Sequence, residues 1–181
     1  FYTTELEECA VVAEALIKGR DVSMARDKLK AEYVKLAGKR PAGVVHGKYV
    51  RGLFTGGTLC YEAQYIAQAH INPIYGNAPL REDLKRENSL KPVGHSFIDD
   101  GEDEFTQWRL HPMIDPSFRA EQVKQQSEDR SVAVILFDVV LGYGSADNPS
   151  FDVVEAIKSV NRETKPIYIA YFCGTDGDPQ D

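Results

Sequence analysis

The chain has 181 residues, with 21 Lys and Arg against 28 Asp and Glu, for a formal charge of −7. Its 43% hydrophobic and 27% charged content is that of an ordinary globular chain, long enough to bury a core without disulfide or metal staples. The acidic balance argues against a broad cationic face for DNA or RNA, and no apolar run reaches the roughly 20 residues of a membrane span. Cys9, Cys60 and Cys173 are widely spaced and form no C-x-x-C pair. That disfavours a zinc site or disulfide framework and points to a reducing, cytoplasmic setting. The chain opens on Phe1 without a signal-peptide pattern and closes on a Gly/Asp turn sequence, which reads as a piece of a longer protein.

Residues 3–40 read as two helices. Thr4 and Glu7 have capping-box spacing, and Leu6, Cys9, Ala13, Leu16 and Ile17 recur at helical intervals, predicting the inward face of the first helix. Gly19 ends it. Asp21 caps a second helix, with Ala25, Leu29 and Leu36 as its apolar stripe and Lys28, Lys30, Lys35 and Lys39 toward water. This segment carries a net +1 and the remainder −8. The shift supports a helical connector over residues 1–45 and a main domain over 46–181.

The main domain alternates strand and helix. Tyr49–Phe54 predicts a strand, Thr58 to about His70 a helix, and His95–Asp99 a second strand. Pro73, Gly76, Pro79, Pro92 and Gly94 make residues 71–94 an irregular excursion with little regular structure. Asp115-Pro116 starts a helix running to about Ser127. The nearly continuous apolar run from Ser131 to Val140 suits a parallel strand covered on both faces. Asn148-Pro149 starts another helix with Val153, Val154, Ile157 and Val160 inward, and Pro166–Phe172 is a fourth strand. The alternation predicts an open α/β parallel sheet with helices on both faces. The last strand lacks a covering helix, so further residues are expected beyond the C-terminus.

In such sheets ligands bind beyond the carboxyl ends of the strands, at a topological switch point. Four loops there combine glycine with a hydroxyl or carboxylate: Thr55-Gly56-Gly57-Thr58, Asp99-Asp100-Gly101-Glu102, Leu141-Gly142-Tyr143-Gly144, and Cys173-Gly174-Thr175-Asp176-Gly177-Asp178. The first is either an anion pocket of free helix N–H groups or a plain strand-to-helix turn. It lacks the lysine of a Walker A loop and is not G-x-G-x-x-G. Cys60 in the same helix reads as a buried small hydrophobe, or as a thiolate favoured by the helix start. The run Asp99, Asp100, Glu102, Asp103, Glu104 reads mostly as a solvated loop, with a magnesium site completed by substrate phosphate as the other reading. Asp99 stands apart because it ends a strand. His111, held between prolines, is a candidate acid/base or phosphate contact, and Asp115 a cap. Arg119 is placed to pair with a phosphate or carboxylate, or in a surface ion pair. Asp138 inside an apolar run must be ligand-facing or hydrogen-bonded to neighbouring loops. His46, His70 and His95 have no spacing that suggests a metal and read as structural.

Arg51–Leu59, Phe97–Gly101, His111–Pro116, Leu136–Gly144 and Gly174–Gln180, in that order, resemble the FdrA family. Those proteins are similar to the nucleoside-diphosphate-forming acyl-CoA synthetases typified by succinyl-CoA synthetase. The resemblance spans about residues 46–180 and implies a flavodoxin-like ligase-type domain in a longer chain, with a CoA-binding-type domain or partner subunit alongside it. In those relatives the loop resembling Thr55–Thr58 opens a helix that steadies a phosphohistidine, and the loop resembling Val139–Gly144 lies near the carboxylate substrate. The Gly-His-Ala-Gly motif of the synthetases is absent from this sequence. The resemblance also implies an association with oxamate carbamoyltransferase in purine catabolism, so the small molecule would be a carboxylate or an acyl or carbamoyl phosphate. A non-catalytic assembly module, with residues 3–40 as its interaction arm, is the reading from another class. The expected catalytic residues are His111, Asp99 and Asp138. Thr55, Gly56, Gly57, Thr58, Gly142, Gly144, Gly174, Thr175, Asp176 and Arg119 are expected to bind phosphate or substrate. CoA and phosphate or nucleotide would be held with the CoA-binding-type domain, no metal ligand set is assigned, and an oligomer without catalysis by this piece alone is expected.

Overall fold

The computed structural model describes residues 2–38, 45–161, 163, 165–175 and 177–180. Lys39, the boundary at Arg40-Pro41, and Asp176 lie outside the described residues. The chain divides into two compact units, Phe1–Val44 and Val45–Asp181.

The first unit is a helical hairpin, α1 (Leu6–Ile17) and α2 (Val22–Ala37). Asp21 caps α2 by accepting from the Met24 N–H at 3.0 Å. The predicted capping box does not form on α1: the Glu8 carboxylate, one residue beyond Glu7, accepts from the Thr4 N–H at 3.2 Å. Glu7 instead accepts from the Tyr33 hydroxyl at 2.8 Å, and Glu8 also pairs with Arg26 at 2.9 Å. The face of α1 that is buried is Val12 and Ala15, whereas Leu6, Cys9, Ala13, Leu16 and Ile17 are exposed. On α2, Leu29 is buried, Ala25 half-buried and Leu36 exposed. Both α1 faces have helical spacing, and periodicity alone does not say which of two apolar faces meets the neighbour.

The second unit is a five-stranded, wholly parallel sheet in the order β2-β3-β1-β4-β5. Its strands are β1 (Tyr49–Phe54), β2 (Ile74–Tyr75), β3 (His95–Asp99), β4 (Val132–Val140) and β5 (Ile167–Cys173). Side chains alternate between the two faces. Leu53, Ile98, Ile135, Phe137 and Val139 join one core with Ala120, Val123 and Val153, residues of α5 (Ser117–Glu128) and α6 (Phe151–Ser159). Phe54, Phe97 and Ile74 join the other with Cys60 of α3 (Gly57–Ala67). Helices therefore cover both faces, as expected of a flavodoxin-like sheet. A short helix α4 (Asp103–Thr106) follows β3.

Five strands replace the four expected. The excursion at 71–94 contributes β2, paired Ile74↔His95 and Tyr75↔Ser96, and a 3-10 turn at Glu82–Leu84. Two residues carry no detectable periodicity, but the buried Gln64 side chain ties the segment to α3: its Nε2 donates to the Ala78 carbonyl at 3.0 Å and its Oε1 accepts from the Leu80 N–H. Helix α3 starts at Gly57 and ends at Ala67, three residues short of the expected His70. Val154 is 41% exposed rather than inward.

Arg51, like Arg119, is among the largest buried side chains, at 1% exposure. Its Nε donates to Gln126 Oε1 at 2.9 Å, while its terminal nitrogens reach the Gly94 and Pro92 carbonyls and Asp129. Burial lowers its pKa. Beside it in β1, Gly52 is opposite Phe97, and a Cβ at Gly52 would lie 2.6 Å from the Phe54 ring and 2.8 Å from the Phe97 ring. Neither buried ring has room to withdraw. Gly52→Ala is expected to destabilise the domain by about 1–3 kcal/mol through overpacking, read as a lowered midpoint in urea denaturation.

Candidate functional site

Because every strand is parallel, the C-terminal ends of β1, β3, β4 and β5 share one edge of the sheet, and the four glycine loops follow those ends. The chain leaves β1 toward β3 on one side and later returns to β4 on the other, so the switch point falls between β1 and β4.

That switch point is built around buried charge. The Asp138 carboxylate, 1% exposed, accepts from both the Thr55 N–H at 2.8 Å and the Thr55 hydroxyl at 2.5 Å. Arg119, equally buried, reaches in from α5 and donates through one nitrogen to the Asp138 carboxylate, the Asp138 carbonyl at 2.7 Å and the Thr55 hydroxyl at 2.6 Å. Arg119 is therefore no surface ion pair, and Asp138 meets the loop that follows β1. Both lie beneath the rim.

The next pair of carboxylates separates by environment. Asp100 is fully buried, contrary to the solvated loop expected for it. Its N–H donates to the Phe54 carbonyl at 2.9 Å, and its Oδ1 accepts from Gln122 Nε2 at 2.7 Å. Among the described residues, its Oδ2 and the Nε of Arg119 have no hydrogen-bond partner. Burial pushes its pKa up to about 8, against the pull of Arg119 and Gln122, so the carboxyl is protonated at neutral pH. Asp99, 3% exposed, is closer to the rim. Its Oδ1 accepts from the Gly101 N–H at 2.8 Å, and its Oδ2 lies 3.0 Å from the point where a Cβ on Gly57 would stand. Burial raises its pKa, Gly101 and His111 oppose that, and Glu102 and Asp138 add to it. Asn77 clamps the Asp99 backbone from both sides, donating to its carbonyl at 2.8 Å and accepting from its N–H at 3.0 Å. Glu102, Asp103 and Glu104 are exposed at α4, in keeping with a solvated stretch. Among the described residues no group of three or more His, Cys, Asp or Glu is placed to hold a metal ion.

His111 completes this half of the rim. Its Nδ1 accepts from the Met113 N–H at 3.2 Å, which leaves the proton of the neutral ring on Nε2. That Nε2 lies 2.9 Å from where a Cβ on Gly101 would stand, and Thr55 O and Asp99 Oδ1 crowd the same point at 2.7 and 3.1 Å. His111, Asp99, Thr55 and Gly101 thus converge. Asp115 stands one residue before the N-cap of α5, which is Pro116 and not Asp115 as expected; it accepts from the Ser117 N–H at 3.0 Å, and the Ser117 hydroxyl together with this N–H lowers its pKa. Gly56 leads into α3 in an extended conformation, with no heavy atom within 4 Å of its would-be Cβ, and Thr58 is exposed. Cys60 is fully buried, and burial raises its thiol pKa, so it serves as a core residue.

The other half of the rim is stitched by Gln180. Its Oε1 accepts from the Gly142 N–H at 2.9 Å, and its Nε2 donates to the Gly142 and Ala146 carbonyls and to Ser145 Oγ. Asp178 accepts from the N–H and hydroxyl of Thr175. A Cβ on Gly174 would lie 2.7 Å from Asp178 and 2.8 Å from Leu141, so this position accepts no side chain. Gly142 and Gly144 hold φ of 113° and 86°, the left-handed region that glycine enters without penalty. Together with Tyr143, Ser145, Asp147, Pro179 and Gln180 they line a cavity of about 390 Å³. The Ala146 N–H donates to the Met113 carbonyl at 2.9 Å, joining this half to the His111 loop. Gln122 and Asn77 carry no signal in the sequence, Gln180 enters only as the end of the last motif, and Asp100 only as a member of the acidic run read mostly as solvated.

Residues 53–181 match the CoA-ligase family. The chain belongs to the CoA-ligase family. It is also 37% identical over 136 residues to the uncharacterized protein YahF of Escherichia coli (strain K12), an alignment that takes in 72% of this chain and 26% of YahF. The chain therefore spans about a quarter of the length of that relative. No helix among the described residues is long and apolar enough to cross a membrane.

In this CoA-ligase domain the buried carboxyl of Asp100 gives a defined pH response. Its folded pKa stands above the unfolded value of 3.8, so the folded state holds the extra proton between 3.8 and about 8. Its contribution to stability is fully present below the unfolded value and is lost as pH rises through about 8. Asp100→Asn removes this dependence while keeping an acceptor for Gln122. The variant is expected to gain in melting temperature over wild type at pH 8 and much less at pH 5; an equal difference at both would contradict the assignment. Arg119→Met leaves Asp138 without its buried cation and is expected to cost about 3–5 kcal/mol, measured by urea denaturation.

Proposed function

We propose that the full-length protein is an acyl-CoA synthetase-like enzyme of the FdrA branch, in which this domain holds the phosphoryl or carboxylate oxygens of an acyl phosphate at Thr55–Thr58. One juxtaposition supports the reading. The first turn of α3 opens at the switch point of the sheet beside the Oδ2 of Asp99, whose Oδ1 crowds the same point at Gly101 as the Nε2 of His111. Free N–H groups at a helix start favour oxygen anions, and Gly56 brings no side chain that would block their approach.

His111 donates from Nε2, and Asp99, in its protonated form, donates from Oδ2, so that charge developing on a substrate oxygen is met by fixed donors. Asp138 and Arg119 act through Thr55 and are positioning residues. Gly142, Gly144, Gly174 and Thr175 form the second wall, facing the carboxylate end of the substrate. Coenzyme A and nucleotide are assigned to the remainder of the longer protein, and turnover requires that remainder.

Asp99 sets the test. An anion entering beside Gly57 meets the Asp99 carboxylate, and binding is weakened until that group takes a proton. In calorimetric titration with inorganic phosphate, Asp99→Asn is expected to bind about tenfold more tightly than wild type at pH 8 (~1.4 kcal/mol), and the ratio of the two affinities is expected to approach one as pH falls, a ratio from which the phosphate's own ionisation cancels. Absence of phosphate binding by both proteins at every pH would overturn the reading.

A further inference from the structure

Strand β2 stops short of the ligand edge. After Tyr75 the backbone turns away from β3: the Gly76 N–H donates to the Leu84 carbonyl at 3.4 Å, and the Gly76 carbonyl accepts from the Arg86 N–H at 2.9 Å. The Asp99 N–H and carbonyl, at the end of β3, face the gap this leaves, while the N–H of Asp100 turns the other way, to Phe54 of β1. The Asn77 side chain fills the gap. Its Oδ1 accepts from the Asp99 N–H at 3.0 Å, and its Nδ2 donates to the Asp99 carbonyl at 2.8 Å. One planar amide thus does for the last residue of β3 what the peptides of a neighbouring strand would do. At that length only Asn presents a donor and an acceptor side by side; Asp lacks the donor and Leu lacks both.

The same segment is fixed from α3. Gln64, about two helical turns below Gly57, is buried; it donates to the Ala78 carbonyl at 3.0 Å and accepts from the Leu80 N–H at 3.3 Å. Asn77 therefore stands between two anchors. Before it is Gly76, where a Cβ would collide with the Phe97 carbonyl, and after it are Ala78 and Leu80, bonded to α3. The start of α3 and the carboxyl of Asp99 are joined through this excursion as well as through β1.

We propose that Asn77 and Gln64 are positioning residues for the anion site at Thr55–Thr58: Asn77 holds the Asp99 carboxyl against Gly57, and Gln64 locks Asn77 to the helix whose first turn forms that site. The role rests on the anion reading of that loop, whereas the coupling rests on the bonds alone.

The Asp99 carboxyl reports the coupling without any ligand. Burial raises its pKa, Glu102 and Asp138 add to that, and the Gly101 N–H and His111 oppose it; none of these groups is altered in the variants. In carbon NMR titration of the 181-residue chain, Asn77→Ala and Gln64→Met are each expected to lower the Asp99 midpoint toward 3.8, because the freed strand end gains water. Gln64→Met is the sharper test, since no hydrogen bond of Gln64 reaches Asp99. Asp115, held by Ser117 outside this network, is expected to keep its midpoint in both. The double variant is expected to shift Asp99 no further than Asn77→Ala alone, as for two residues on one path. Circular dichroism checks that each variant is folded, and Asn77→Ser is the milder replacement should Asn77→Ala fail to fold. An Asp99 midpoint unmoved by the Asn77 change, one unmoved by Gln64→Met, an equal shift at Asp115, or additive shifts in the double variant would each overturn the proposal. The titration contains no phosphate, so its result stands apart from whether wild type binds phosphate, which decides the anion reading.

Discussion

One buried guanidinium holds the ligand edge of this sheet together. Arg119 meets Asp138 and Thr55 in a place with almost no solvent. Removing a charge pair from water costs several kcal/mol per ion, and the cost is offset only because the carboxylate also collects the N–H and hydroxyl of Thr55. The same bonds fix where β1 ends and where the following loop begins. The Thr55 backbone is therefore placed by charge, and Gly56, Gly57 and the start of α3 take their position from it.

Around that centre the domain uses amide side chains as braces. Asn77 holds the backbone of Asp99, Gln122 the carboxyl of Asp100, Gln64 the excursion over α3, and Gln180 the two outer loops. Each provides a donor and an acceptor in one planar group and adds no charge to a site that already contains three aspartates and one arginine. Loops joined this way hold their shape without being packed by apolar side chains, which leaves the glycine-lined rim open.

The sheet was largely legible in the sequence because its signals are long. The nine residues of β4 and the alternation of Leu53 with Phe54 across the two cores leave little choice of element, and Asp21 announces the start of α2 by the bond it accepts. The candidate site was legible through the strand ends: Thr55, Asp99, His111 and Asp138 converge because parallel strands finish on one edge. Three things were not legible. Strand β2 is too short to show a period and exists through pairing with β3. The burial of Arg51 and Arg119 depends on carbonyls and carboxylates that are distant in sequence, so nothing local separates them from surface arginines. The covered face of α1 is ambiguous because both of its faces are apolar.

Asp99 and Asp100 show how far adjacent residues can differ once a strand ends between two environments. Successive side chains on an extended backbone point to opposite sides. Asp100 turns inward toward Gln122, is fully buried, and keeps its proton near neutral pH. Asp99 turns toward α3 and the Gly101 N–H; burial raises its pKa as well, opposed by the Gly101 N–H and His111. One carboxyl therefore contributes shape and hydrogen bonding, while its neighbour can exchange a proton at the rim. Burial raises the proton affinity of both, and the two differ in reach: Asp100 is sealed against Gln122, whereas Asp99 borders Gly57 at the rim. In this domain the division follows from a single residue step along β3.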